Sequence, residues 1–148
     1  MSLPIQQAST QADYLKCRRA IQALRPKLTD DLYDEAVRQT LADNRIMIFI
    51  EENQEAAAVG VFEYGYNLFR GKYLYIDDLS TLPEYRGKGY AGQLVDWIMA
   101  YARREGYHEV HLDSGVSDAR TDAHRLYLNK RFKITSLHFV NKVEEWEG

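Results

Sequence analysis

The spacing of apolar residues divides the chain into segments of two periods. From Gln11 to Leu24 the apolar positions 17, 20, 21 and 24 form one helical face, and Pro26 breaks it. Thr29-Asp30-Asp31 supplies a cap and first-turn acids for a second helix, in which Leu32, Tyr33, Ala36, Val37, Thr40 and Leu41 recur at intervals of three and four. Arg45 to Glu51 is a compact apolar run, Glu52-Asn53 can turn, and Glu55 to Tyr64 resumes with Val59, Val61 and Phe62, the pattern of an antiparallel hairpin. Tyr64 to Gly71 reads as an aromatic-rich loop and Lys72 to Thr81 as the next strand. The longest amphipathic segment runs from Gly89 to Glu105, with Ala91, Leu94, Val95, Ile98 and Ala102 on one stripe and Gly106 as its stop. Pro4 to Ala8 reads as an opening strand, Glu109 to Ser114 as a strand, Asp118 to Asn129 as a helix, and Lys133 to Val143 as one or two closing strands. The order β-α-α-β-β-β-α-β-α-β(-β) predicts an α/β (α+β) fold, a mixed sheet with helices packed on it.

Composition narrows the classes. The 148 residues, 45% hydrophobic and 28% charged, suit a single globular domain over residues 3–148. A net charge of -3 and the lack of any basic block longer than three residues argue against a nucleic-acid surface. The one cysteine, Cys17, allows neither an intramolecular disulfide nor a Cys-based metal cluster, and its place beside Ala20, Ile21 and Leu24 marks it as core. No His-Glu-x-x-His spacing occurs, so no metal is expected. No run approaches the roughly 20 apolar residues of a membrane span, which leaves a cytoplasmic protein as the expectation.

The candidate chemistry begins at Pro83-Glu84-Tyr85-Arg86-Gly87-Lys88-Gly89-Tyr90-Ala91, a glycine-rich connection between a strand and the longest helix. The first amides of a helix have no partner inside it, so a phosphate there gains N–H donors and the positive end of the dipole, while glycine lets it approach the chain. Arg86 and Lys88 add charge. The stretch fits neither G-x-x-x-x-G-K-S/T nor G-x-G-x-x-G.

Leu79 to Ala91 resembles the acetyl-coenzyme A motif of the GCN5-related N-acetyltransferase (GNAT) superfamily, Q/R-x-x-G-x-G/A, met by Arg86, Gly89 and Ala91, with Thr81 where a valine is usual just upstream. Asp122 to Phe132 resembles the family's A-x-x-L-Y-x-x-x-G-F signature, with Arg131 in the glycine position. The element order is similar to that fold throughout. The resemblance implies a mainly antiparallel sheet of six to seven strands with about four helices on both faces. It also implies an acetyl-CoA-dependent N-acetyltransferase that acts by direct attack of an amine. An acyl-CoA-binding module without turnover is the alternative.

By the same resemblance, the amides from Arg86 through Gly87, Lys88, Gly89 and Tyr90 to Ala91 hold the pyrophosphate, and the backbone flanking Ser80, at Leu79 and Thr81, pairs with the pantetheine arm. Leu79 N–H is the oxyanion donor, and Tyr127 gives its proton to the departing thiolate. Asp77 and Asp78 end the apolar run Leu74-Tyr75-Ile76 and cannot share a face under strict alternation, so a β-bulge is expected near Asp78. The pair resembles the Glu-Asp of polyamine-acetylating relatives, with Asp77 nearest the attacking amine. Glu63, His111 and His124 are weaker base candidates. Arg18, Arg19, Tyr33 and the aromatic stretch from Tyr64 to Phe69 are expected to wall the acceptor groove, which favours a small cationic amine while a peptide amine remains open. Arg131 in place of glycine predicts a helix that stops early at Asn129 and displaces Phe132. The alternation Leu137, Phe139, Asn141, Val143 allows pairing with a second copy, a homodimer.

Overall fold

Asn53 and Gln54 both take positive φ, 55° and 65°, as a two-residue hairpin turn requires, because this turn matches the right-handed twist of the strands it joins. They connect β2 (Arg45–Glu52) to β3 (Glu55–Asn67) with Glu52 opposite Glu55. The computed structural model describes residues 2–147, in two compact units, one ending at Leu112 and the other beginning at Asp113. In the first unit β1 (Ile5–Gln7), β2, β3, β4 (Gly71–Thr81) and β5 (Glu109–Leu112) form one sheet in the order 1-2-3-4-5. Every pair is antiparallel except β4 with β5.

The register of β3 against β4 shifts at one point. Phe62 faces Ile76 and Val61 faces Asp78, which leaves Asp77 as the extra residue of a bulge. Upstream of it, Phe62 packs edge-on against Tyr101 and near Trp97 of α3 (Tyr90–Glu105), so Leu74 and Ile76 belong to the α3 side of the sheet. Downstream, Ser80 is buried and donates to the Ala20 carbonyl of α1 (Gln11–Leu24) at 2.7 Å, on the opposite side. α2 (Asp30–Ala42) packs on α1 through Tyr33, whose buried hydroxyl donates to the Tyr14 carbonyl at 2.5 Å. Cys17 is fully buried there, as its apolar neighbours predicted. Pro26 excludes its predecessor from helical ψ, and Arg25 accordingly leaves α1 at φ -121°, ψ 73°.

The sheet has five strands among the described residues, not the six or seven expected, because Lys133 to Val143 joins no ladder. Strand-forming residues hold no strand without a neighbour, and no backbone hydrogen bond reaches residues 133–141 from any described residue. The expected loop from Tyr64 is also corrected. Strand β3 continues to Asn67, with Tyr64 opposite Leu74 and Tyr66 opposite Lys72. Gly65, which read as a turn residue, is glycine for a packing reason: a Cβ there would lie 2.8 Å from the Tyr73 hydroxyl oxygen.

In the second unit α4 (Thr121–Asn129) ends as its pattern predicted, but Asn129 is not the left-handed residue. Arg131 takes φ 68°. Phe132 N–H donates to the Tyr127 carbonyl and Arg131 N–H to that of Leu128, both at 3.0 Å, a Schellman cap built without glycine. The Phe132 ring meets Tyr127 edge-on at 6.2 Å, so the cap holds Phe132 beside the helix. A non-glycine residue in this conformation costs about 1–2 kcal/mol, partly offset because glycine would add freedom to the unfolded chain. Arg131→Gly should therefore raise unfolding stability by about 0.5–1 kcal/mol in urea titrations; an unchanged or lower midpoint would contradict the strain.

Candidate active site

Two buried side chains fix the glycine-rich connection. Leu82 is buried and its N–H donates to the Ala57 carbonyl at 2.9 Å. Tyr85, equally enclosed, donates its hydroxyl to Glu55 at 3.1 Å. Between these anchors and α3, Gly87 and Gly89 take φ 82° and 79°. Space is not what demands glycine, since a Cβ at Gly87 meets nothing within 4 Å; the left-handed conformation does. Gly89 caps α3 with no side-chain acceptor for the first turn. The N–H groups of Gly87, Lys88, Gly89, Tyr90 and Ala91 have no backbone acceptor among the described residues, whereas that of Arg86 is engaged by the Pro83 carbonyl at 3.3 Å.

The side chains here point elsewhere. Lys88 reaches Glu52 at 2.7 Å and the Tyr90 hydroxyl donates to the same carboxylate at 2.5 Å, so these two donors hold the Glu52 carboxyl below its ordinary range and Glu52 ties the loop to β2. The charge that Lys88 was expected to lend the loop is thus countered by Glu52, a residue the sequence pattern did not mark. Arg86 stays exposed.

Beyond Ile76, β4 loses its parallel neighbour: Tyr73 to Ile76 pair with Glu109 to Leu112, and Asp78 to Thr81 pair with β3 alone. The Leu79–Thr81 edge therefore faces a gap in the sheet. The bulge turns Asp77 and Asp78 toward the α1–α2 side, where they line a groove of about 630 Å³ with Arg25, Ala36, Gln39, Thr40, Ala42, Asp43 and Arg45. Arg45, first in β2, donates through Nε to Asp77 and through Nη2 to Glu63, both at 2.8 Å, and also binds Asp43. Arg25, turned out of α1 by Pro26, donates to Asp78 at 2.8 Å and to the Asp77 carbonyl at 3.1 Å. Asp77 Oδ1 and Asp78 Oδ2 have no protein partner among the described residues. The groove carries three acids against two arginines, and the C-terminal ends of α1 and α2 reach it without a basic residue in either last turn. Its formal charge is negative by one, with Arg25 itself at the C-cap of α1.

Several expected wall residues lie outside this groove. Arg18 pairs with Asp30, Arg19 with Glu55 and Glu84, and Tyr33 is core. Glu63 serves as a partner of Arg45. His111 bonds Glu109 at 3.1 Å, and His124 bonds the Gly115 carbonyl at 2.6 Å. Arg25 and Arg45 were not foreseen. Pro26 marks the first, and the placement of Arg45 opposite Glu63 in an otherwise apolar hairpin is the signal for the second.

In the second unit, Tyr127 is the one buried side chain of α4. Burial pushes its hydroxyl above the usual tyrosine value, against an opposing pull from the Arg120 guanidinium. No cluster of three or more metal-ligating side chains occurs among the described residues, and no helix there is long and apolar enough to cross a membrane.

Against known proteins, the model of the acetyltransferase (GNAT) family matches residues 11–132. The uncharacterized N-acetyltransferase YhdJ of Bacillus subtilis is 29% identical over 141 residues, covering 94% of this chain and 98% of that protein. The thialysine N-epsilon-acetyltransferase of Caenorhabditis elegans is 31% identical over 116 residues, 78% of this chain and 66% of that one. Among solved structures, the aminoglycoside N-acetyltransferase AAC(6')-Iy in complex with CoA superposes with a TM-score of 0.81 at 19% identity, over 96% of this chain and 95% of that one.

Proposed function

Because this chain belongs to the GNAT acetyltransferase family, we propose that its acetyl-CoA chemistry serves a small cationic amine, acetylated by direct attack in the negative groove at the β4 bulge. The observation that carries this reading is the bulge itself, which turns two consecutive carboxylates into one groove, each with an oxygen left over from its arginine. The names of the relatives agree with an amine acceptor: one acts on thialysine, and a structural neighbour on aminoglycosides.

A primary amine with a reference pKa near 10.4 arrives protonated. Asp77 and Asp78 receive the ammonium, and Asp77 takes its proton directly or through a water. The neutral nitrogen then attacks the thioester carbonyl, the Leu79 N–H supports the oxyanion, and the carbonyl re-forms as the carbon–sulfur bond breaks and Tyr127 protonates the departing thiolate; the second proton on nitrogen leaves to water, and a proton from water restores the phenol. The free amides from Gly87 to Ala91 hold the pyrophosphate of acetyl-CoA, and the open Leu79–Thr81 edge receives its pantetheine arm. An acyl-cysteine intermediate is disfavoured, since Cys17 is fully buried and burial pushes its thiol up to about 12.

The test is thiol release from acetyl-CoA across a panel of diamines, amino sugars, lysine analogues and peptides. Small cationic amines should turn over fastest, and Asp77→Asn should lower kcat/KM for the best of them by about tenfold or more, through kcat as well as KM, with the acetyl-CoA KM unchanged. Release with peptides alone would defeat the assignment of acceptor, and tight acetyl-CoA binding without any release would defeat the assignment of activity.

A further inference from the structure

The turn between β2 and β3 sets like charges opposite each other, Glu52 across from Glu55. Facing acids weaken an antiparallel pair, and the turn itself is made by Asn53 and Gln54 in the left-handed region. A local cost of this kind points to a task elsewhere. Each carboxylate accepts from one tyrosine. Glu55 accepts from the Tyr85 hydroxyl at 3.1 Å, whose oxygen in turn accepts from Asn53 Nδ2 at 3.2 Å, and Glu52 accepts from the Tyr90 hydroxyl at 2.5 Å. The two tyrosines are 6% and 8% exposed and stand on either side of Arg86-Gly87-Lys88-Gly89. Arg19 on Glu55 and Lys88 on Glu52 offset the repulsion between the acids.

The glycine-rich connection needs such a hold from outside. Gly87 and Gly89 both sit at positive φ, which glycine leaves as readily as it enters, and Gly89 gives α3 no side-chain cap. A Cβ added at Gly87 would meet nothing within 4 Å, so no neighbour confines that residue. The direction of the amides therefore depends on what grips the two ends of the loop.

We infer that the β2–β3 turn is the positioning element of the donor loop: Glu55 and Glu52 hold the tyrosines that bracket it, and Glu52, through Tyr90, aims the first amides of α3 at the pyrophosphate. The inference rests on the proposal that the amides from Gly87 to Ala91 bind acetyl-CoA. Tyr90 carries the tether rather than Lys88, because the Tyr90 ring is buried whereas the Lys88 ion pair is exposed and worth little.

The experiment is calorimetric titration of coenzyme A into the full chain and into Glu52→Ala, Tyr90→Phe and the double variant. Glu52→Ala should raise the dissociation constant about tenfold and Tyr90→Phe about fivefold, and the double variant should be no weaker than Glu52→Ala, because both remove one bond. At saturating acetyl-CoA kcat should stay within about twofold, which separates aim of the donor from loss of fold. Glu52→Gln, which keeps an oxygen for Tyr90 and drops the charge, should bind within about threefold of wild type. Tighter binding by Glu52→Ala would make Glu52 a mere repulsive charge and overturn the inference, as would multiplicative effects in the double variant. Should Glu52→Ala fail to fold, Tyr90→Phe decides alone, since it removes only a hydroxyl; an unchanged constant there overturns the inference. Valine at Gly89 tells the two readings apart. Weakened binding there with Glu52→Ala unchanged defeats the tether alone, and unchanged binding there defeats the donor loop and the tether together.

Discussion

Replacing Tyr127 with phenylalanine should lower kcat by about 100- to 1,000-fold and leave the KM for acetyl-CoA within about twofold, the signature of a lost general acid. The substitution is well suited to the question. Phenylalanine keeps the ring that meets Phe132 and keeps the cap of α4, because the cap uses the Tyr127 carbonyl rather than the hydroxyl. What it removes is one proton. Burial holds the hydroxyl above the ordinary tyrosine value of about 10, so the phenol stays protonated through the neutral range. In the wild type the alkaline fall in kcat belonging to this group should therefore lie above pH 10, and in the phenylalanine variant that limb should vanish. A kcat within a few-fold of wild type would remove Tyr127 from the proton path and leave it a packing residue.

The second large effect is expected at Gly89. Valine there should raise the KM for acetyl-CoA by about thirtyfold or more, while the KM for the amine moves little. Gly89 takes φ 79°, a conformation that β-branched residues avoid more strongly than any others, and it directly precedes the first turn of α3. Relief of that strain must rotate the Lys88–Tyr90 amides, which removes donors from the pyrophosphate. Lys88→Ala is the informative companion. Lys88 is engaged with Glu52, so its loss should change the acetyl-CoA KM by less than about threefold if the backbone amides carry the binding. If the two variants proved equally impaired, side-chain charge rather than backbone geometry would be the better account of the loop.

The sequence carried the helices because their signals are local. Thr29 caps α2 through the Leu32 amide, Pro26 breaks the chain after α1, and Gly106 takes φ 79° at the end of α3, each within a turn of the element it bounds. The bulge was legible for a similar reason: adjacent acids at the end of an apolar strand contradict a period of two, and a bulge resolves the contradiction. What escaped was non-local. Gly65 looks like a turn until the Tyr73 ring lies over it. Arg25 and Arg45 stand 20 positions apart in the chain and meet the same pair of acids only after the sheet has formed. Lys133 to Val143 has the composition of a strand, and composition does not supply the neighbour a strand needs. The left-handed residue was misplaced because a rule for isolated caps favours Asn129, whereas the Phe132–Tyr127 contact makes the Schellman geometry worthwhile with an arginine at its centre.

The inserted residue of β4 also separates two tasks along one short ribbon. On its N-terminal side, Leu74 and Ile76 belong to the hydrophobic interior; on its C-terminal side, Ser80 is anchored to α1 while the main chain of Leu79 and Thr81 has a strand neighbour on one edge only. Under the proposed function, donor recognition through peptide groups is then separated from the carboxylates proposed to meet the acceptor. On that proposal, a scaffold divided in this way changes its choice of amine through a few replacements at positions 25, 45, 77 and 78, without rebuilding the apparatus that handles the thioester.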